Sequence, residues 1–180
     1  RQSVMSGSAG TCARTPPEVA PELFYRRVMQ LIGDARVPYL IGGTHALKHQ
    51  TGMPFPARDF DILLRRDDLY RVRLALGAHG YEVEMAHPHF VAKVHDGDLF
   101  VDLIFGSGNG LTDIDDDWFA HASWGRVCDV PVRFCSAEDL LWSKAFIMER
   151  ERFDGADVAH LILTCGDRID WRRLLARFGG

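Results

Sequence analysis

Apolar residues near the start of the chain recur at helical intervals. They predict one amphipathic helix between Pro21 and about Asp34, and its apolar positions are Leu23, Phe24, Val28, Leu31 and Ile32. Residues 1–17 have no such period and are rich in Ser, Gly, Thr and Pro, so we expect a flexible leader there.

The middle of the chain alternates apolar and polar residues with a period of two, which is typical of β-strands. Strands are predicted at residues 37–41, 59–64, 81–86, 90–95 and 99–105, with helices at 44–50 and 67–79 between the first three. The sequence "DGD" at Asp96–Asp98 predicts a hairpin turn between the last two strands. This region therefore indicates a mixed sheet.

The C-terminal third is predicted to be mainly helical. One short helix is expected around 118–122 and one strand within 126–135. Ser136 and Asp139 resemble a capping box that opens a helix to about Arg150, and further helices fit 154–164 and 169–178. The prediction is an α+β fold, α/β-like in its order, with a core at 18–135 and a helical subdomain at 136–180 packed on it.

Composition narrows the classes of function. The chain has 47% apolar residues, and 21 basic against 25 acidic side chains give a net charge of −4. That balance gives no strong signal for nucleic acid or an anionic membrane. No apolar run reaches the length of a membrane helix and no signal peptide is recognisable, so a cytoplasmic location is expected. The four cysteines form no C-x-x-C pair, which favours free thiols over zinc ligands or disulfides.

Three aspartates occupy unusual positions in predicted strands. Asp59 and Asp61 alternate on one strand, and Asp102 lies inside the apolar strand "FVDLIF". Burying these like charges together is costly unless a cation neutralises them. Carboxylate oxygens in this number favour Mg²⁺ or Mn²⁺, which commonly share a phosphate-bearing substrate. The sequence therefore predicts a metal site at Asp59, Asp61 and Asp102.

Two glycines stand between a predicted strand and a predicted helix. Gly42 and Gly43 precede Thr44, the first residue of that helix. Backbone N–H groups at such a turn, together with the helix N-terminus, can cradle a phosphate. We expect these three residues to bind the phosphates of a substrate whose metal ions the aspartates hold.

These elements, "YLIGG", "THALKHQ", "DFDILL" and "FVDLIF", resemble the signature of the nucleotidyltransferase superfamily. The layout is most similar to small bacterial branches that include antibiotic nucleotidyltransferases and the nucleotidyltransferase toxins of abortive-infection systems. The resemblance covers roughly residues 37–162. It departs at Phe55 and Ala57, where many relatives carry Arg and Thr.

The resemblance implies a fold and a reaction. Asp59 and Asp61 would ligate the metal of a nucleoside triphosphate, while Asp102 would ligate a second metal and help deprotonate an acceptor hydroxyl. Lys144 matches a lysine that such proteins place on the helix after the sheet. It either steadies the triphosphate or pairs with Asp154 or Asp157 on the neighbouring helix.

Several alternatives stay open at this stage. The acceptor is a small molecule, a protein or RNA, and the acidic run from Asp113 to Trp118 is either a solvated loop or part of an acceptor cleft. His45 and His49 share a helix face but lack the third ligand of a transition-metal site. The alternative function is a catalytically silent domain of the same fold that binds nucleotide or a partner, such as an antitoxin.

Overall fold

The computed structural model describes residues 19–56, 59–107, 113–150 and 155–179. In these ranges the helices are α1 Val19–Asp34, α2 Gly43–Thr51, α3 Leu69–Gly77, α4 Asp116–Ala120, α5 Ala137–Arg150, α6 Gly155–Cys165 and α7 Trp171–Arg177. The strands are β1 Leu40–Ile41, β2 Asp61–Leu63, β3 Glu82–His87, β4 Val91–Asp96, β5 Leu99–Ile104, β6 Ser123–Val127 and β7 Val130–Phe134. The predicted α+β class is confirmed.

The strands form one mixed sheet in the order β3-β4-β5-β2-β1-β7-β6. β2 pairs in parallel with β5 and β1 in parallel with β7, whereas β1 and β2 are antiparallel. The outer pairs β3-β4, β4-β5 and β6-β7 are antiparallel as well. β3 and β6 are consequently the edge strands, and β2 and β1 lie near the centre.

The two faces of β4 and β5 differ in burial. Ala92, Val94, Val101 and Leu103 are buried in the same hydrophobic core as α1 and α3. Lys93 and Asp102, which alternate with them, are only partly buried. Because alternate residues point to opposite faces, one face of this part of the sheet is apolar and packed, while the other, here called the polar face, carries Lys93 and Asp102.

Local signals explain most of the elements. Gly97 adopts a positive φ of 60° and Asp96 pairs with Leu99, which confirms the predicted hairpin turn. The backbone N–H of Asp139 donates to Ser136 Oγ at 3.2 Å, so the predicted helix start after Ser136 is confirmed as well.

Three predicted elements differ most from the structure. The strand predicted at 37–41 is regular only at Leu40–Ile41, since Pro38 has no N–H to give to a ladder. The helix predicted at 67–79 begins as a 3₁₀ turn, Arg66–Asp68, before α3. The single strand predicted within 126–135 is the hairpin β6-β7, whose turn residues Cys128 and Asp129 both have positive φ without a glycine to indicate it.

Other predictions concern the cysteines, the division of the chain into parts and membrane-spanning helices. Cys128, Cys135 and Cys165 are free, as expected, while Cys12 and the predicted leader at 1–17 lie outside the described residues. The division between a core at 18–135 and a subdomain at 136–180 stays a prediction. Within the described ranges, no helix combines the length and the apolar character needed to cross a bilayer.

Candidate active site

Asp61 and Asp102 are direct neighbours in the sheet. They are Cα partners in the parallel pairing of β2 with β5. The N–H of Asp102 donates to the carbonyl of Phe60 at 2.9 Å, which helps to fix this register. Paired residues of adjacent strands project to the same face, so both carboxylates lie side by side on the polar face of the sheet.

Asp59 lies just outside the regular strand, two residues before Asp61, and is exposed. Burial raises the pKa of Tyr25, and the negative charge of Asp59 raises it further. Among the described residues, no group of three or more His, Cys, Asp or Glu side chains is close enough together to hold a metal ion. The ligation of one ion by all three aspartates therefore stays a prediction.

The glycine turn contacts Asp61 directly. Gly42 is extended and its N–H donates to the carbonyl of Asp61 at 3.0 Å, while Gly43 has a φ of 52° and begins α2. A Cβ at position 43 would lie only 1.6 Å from Asp61 Oδ2. The carboxylate thus lies against the N-terminus of α2, where the helix dipole stabilises negative charge.

This contact bears on the predicted phosphate site at Gly42, Gly43 and Thr44. Thr44 is partly buried in the first turn of α2. The same helix end that the sequence predicted for phosphate lies beside Asp61 in the structure. A divalent ion held by Asp61 would supply positive charge for a phosphate at this helix end. Phosphate binding at these residues remains a prediction that this geometry accommodates.

A lysine that the sequence analysis missed pairs with Asp102. Lys93 Nζ lies 2.7 Å from Asp102 Oδ1, and it also lies 4.0 Å from the centre of the Phe100 ring. Lys93 and Asp102 are Cα partners in the β4-β5 hairpin. The signal was present in the sequence, because counting back from the turn at Asp96–Asp98 places Lys93 opposite Asp102.

Lys144 is buried in helix α5. Its Nζ lies 2.7 Å from Asp157 Oδ2, one of the partners that the sequence left open, and Asp154 lies outside the described residues. Burial raises the pKa of the Cys135 thiol well above its usual value; nearby Asp139 and Asp61 raise it further and Lys144 opposes them. Contact between Lys144 and a triphosphate stays a prediction.

The two histidines of α2 pack against aromatic rings. His45 lies edge-on to Phe60 with ring centres 4.9 Å apart, and burial together with the charge of Lys48 lowers its pKa to about 4. His49 stacks on Phe134 at 4.1 Å, and its Nε2 lies 3.0 Å from Ser123 Oγ. Both rings thus support the packing of α2 on the sheet.

The acidic run at 113–117 binds arginines. Asp113 pairs with Arg66 at 2.7 Å and Asp116 with Arg65 at 2.6 Å. Asp117 pairs with Arg173 of α7 at 2.7 Å, and Asp115 accepts two backbone N–H groups at the start of α4. Trp118 is only 2% exposed, so it cannot line an acceptor cleft. These residues tie α4 to the chain after β2 and to α7.

The carboxylates suit a divalent ion. Asp61 and Asp102 supply hard oxygen donors side by side, and Mg²⁺ is commonly held by one or two carboxylates plus substrate phosphates. Their mutual repulsion is relieved by the N-terminus of α2 on one side and by Lys93 on the other. The donor set therefore fits Mg²⁺ or Mn²⁺ on condition that Lys93 leaves Asp102.

The fold is that of the nucleotidyltransferases, and the structural neighbours of the chain are nucleotidyltransferases. The solution structure of the antibiotic-resistance factor ANT(2'')-Ia aligns with a TM-score of 0.64 at 16% identity, over 90% of this chain and 92% of that one. A crystal structure of ANT(2'')-Ia in complex with adenylyl-2''-tobramycin gives 0.62 at 15% identity, over 89% and 99% of the two chains. The superfamily resemblance is confirmed at the level of fold.

A lincosamide adenylyltransferase also has a similar fold. The lincomycin-bound structure of LnuA aligns with a TM-score of 0.54 at 20% identity, over 78% of this chain and 94% of that one. No protein-family model and no curated protein matches the sequence. At these identities the likeness defines the fold, and the reaction is argued from the residues of the site.

Proposed function

We propose that this protein is a metal-dependent nucleotidyltransferase that moves a nucleoside monophosphate from a nucleoside triphosphate to a hydroxyl group. The observation that carries the proposal is the in-register pair Asp61 and Asp102, placed beside the glycine turn that opens α2. Two adjacent carboxylates at the positive end of a helix suit a site for a metal-bound triphosphate. Nucleotidyltransferases among the structural neighbours support this assignment.

Each residue has a defined role in the proposed reaction. Asp59 and Asp61 would hold the ion that accompanies the triphosphate, and Asp102 would hold a second. Bound Mg²⁺ or Mn²⁺ would supply electrostatic stabilisation of the attacking and leaving oxygens. The N–H groups at Gly42, Gly43 and Thr44 would orient the phosphates, and Lys144 would steady the triphosphate tail.

The chemical step is an in-line displacement at the α-phosphorus. Asp102 would accept the proton of the acceptor hydroxyl while the hydroxyl oxygen bonds to the α-phosphorus. The bond between that phosphorus and the oxygen bridging to the β-phosphate breaks, and pyrophosphate leaves. The glycine turn contributes by keeping the Asp61 carboxylate in place while this happens.

The neighbours suggest the first donor and acceptors to test. One is an adenylyltransferase bound to lincomycin and another is bound to an adenylylated tobramycin, so ATP and antibiotic hydroxyls come first. Proteins and RNA remain in the proposal as acceptors, and an antitoxin remains as a partner. A cytoplasmic location belongs to the same proposal.

The test is transfer of label from α-³²P nucleoside triphosphates in the presence of Mg²⁺ or Mn²⁺. Each nucleotide is tried with tobramycin, lincomycin, total RNA and protein extract, and pyrophosphate release is followed in parallel. Asp61→Asn and Asp102→Asn should each lower turnover by about 10²- to 10⁴-fold, since each removes a charge that the transition state requires. Asp98→Asn, in the exposed hairpin turn, is the matched control.

The alternative, a catalytically silent domain, has one observation in its favour: Asp102 already has a cation in Lys93. It predicts no transfer and no pyrophosphate release with any acceptor. Absence of turnover together with absence of metal-dependent nucleotide binding would exclude the enzyme. Nucleotide binding without turnover would support the silent domain.

A further inference from the structure

Four charged residues form one row across four adjacent strands. Glu84 of β3 pairs with Lys93 of β4, Lys93 pairs with Asp102 of β5, and Asp102 pairs with Asp61 of β2. Directly paired residues project to the same face of a sheet. The order of charges along this face is therefore negative, positive, negative, negative.

Lys93 thus has a carboxylate on each side. Its ammonium is held by Asp102 at 2.7 Å, and the Phe100 ring lies beside it at 4.0 Å. On the opposite side, Glu84 Oε2 lies 2.9 Å from His95 Nε2. Cross-strand partners have Cβ atoms about 4.5–5.5 Å apart, so the long lysine side chain can reach either neighbour without backbone movement.

We propose that Lys93 is a counter-ion with two positions: on Asp102 when no divalent ion is bound, and on Glu84 when an ion occupies Asp102. This inference rests on the proposed function, because it concerns the same metal site. Lys93 would be a positioning residue that keeps the Asp102 carboxylate oriented when no divalent ion is bound. It would not contact the reacting atoms.

Competition for one carboxylate is the physical basis. Asp102 Oδ1 already accepts from an ammonium, and a divalent cation at the same oxygen would repel that ammonium strongly. The Lys93 side chain is 30% exposed and that of Asp102 17%, so solvent screens the ion pair and makes it weak enough to be displaced. Glu84 supplies the nearest alternative carboxylate in the row.

The test measures Mn²⁺ binding to the nucleotide-free protein by the electron paramagnetic resonance signal of free Mn²⁺. Lys93→Met should tighten binding about tenfold, because it removes the positive charge that competes with the divalent ion for Asp102. Glu84→Gln should weaken binding about threefold, since the displaced ammonium loses its second partner. Adding Glu84→Gln to Lys93→Met should then change nothing more.

Two variants control for net charge. Glu82→Gln alters the same strand beside His95 and should leave Mn²⁺ affinity within twofold of wild type. Lys48→Met removes a lysine on α2 and serves the same purpose for Lys93→Met. Melting temperatures of all variants establish that each is folded. A purely structural ion pair would alter the melting temperature without producing the coupling between positions 84 and 93.

The outcomes separate this inference from the proposed function. Tighter Mn²⁺ binding in Lys93→Met, with the effect of Glu84→Gln lost in that background, supports the two-position counter-ion. The inference is overturned, and the proposed function is not, if Lys93→Met leaves Mn²⁺ binding unchanged or weakens it. The same holds if Glu84→Gln has its full effect in the Lys93→Met variant. Failure of every variant to bind Mn²⁺, with or without a non-hydrolysable nucleotide, overturns both the inference and the proposed function.

Discussion

Replacing Gly43 with alanine should disable the site far more than it destabilises the fold. The added Cβ would lie 1.6 Å from Asp61 Oδ2 and 2.7 Å from its Cγ. Since uncrowded contacts between heavy atoms need about 3.5 Å, the carboxylate must retreat by about 2 Å. Asp61 is too short to do so while keeping its place beside α2.

The expected effect of Gly43→Ala has two parts, a loss of stability and a loss of turnover. An alanine at the φ of 52° costs about 1–2 kcal/mol of unfolding free energy, and an off-rotamer Asp61 adds about 1 kcal/mol. A misplacement of this size at a reacting centre typically costs about 10²-fold in rate. Gly43→Ala should therefore lose about 2–3 kcal/mol of stability and about 10²-fold in turnover.

Gly52→Ala is the matched control, because Gly52 follows the end of the same helix at a φ of 70° and a Cβ added there would meet nothing within 4 Å. It should lose about 1–2 kcal/mol and retain full activity. Urea unfolding followed by circular dichroism gives the stabilities, and α-³²P transfer with Mg²⁺-dependent nucleotide binding gives the function. If Gly43→Ala matched Gly52→Ala in both nucleotide affinity and turnover, the assignment of Asp61 to the site would be wrong.

Two further predictions concern groups away from the carboxylate pair. Arg173→Met should cost about 2–3 kcal/mol in urea unfolding, since it removes the closer of the two arginines that pair with the fully buried Asp139 and leaves Arg177 Nε at 3.4 Å as the remaining ion partner. Arg26→Met, whose partner Asp129 is 89% exposed, should cost under about 1 kcal/mol, and equal losses would contradict this reasoning. Burial holds the pKa of His45 at about 4, below its unfolded value of 6.5, so its contribution to stability is present above pH 6.5 and is lost as the pH falls towards 4. Melting temperatures of His45→Gln should vary less with pH over that interval than those of wild type. If the melting temperatures of the two proteins changed in parallel with pH, His45 would not be the group responsible.

Local patterns were enough to predict the turn and the strands that carry the candidate site. The Gly42-Gly43 pair, the alternation around Asp61 and the apolar strand around Asp102 each indicate their structure within a few residues. Their proximity followed from placing the two strands in one sheet. Asp59 was predicted to share the strand and lies just outside it, because the regular pairing begins at Asp61.

Contacts between distant segments could not be predicted in this way. Asp117 and Arg173 are 56 residues apart, and no periodicity indicates that α4 and α7 meet. The choice of Asp157 as a partner for Lys144 likewise depends on how α5 packs against α6. The β6-β7 turn was missed because Cys128 and Asp129 carry positive φ angles that glycine or asparagine normally marks.

The edge position of β3 has a consequence for how copies of this protein meet. An edge strand leaves one row of backbone N–H and C=O groups unpaired and can recruit a strand from another molecule. Here that edge carries Glu82 and Glu84, both exposed. Two such edges brought together would set carboxylates against carboxylates, so the acidic side chains disfavour growth of the sheet from one molecule into the next.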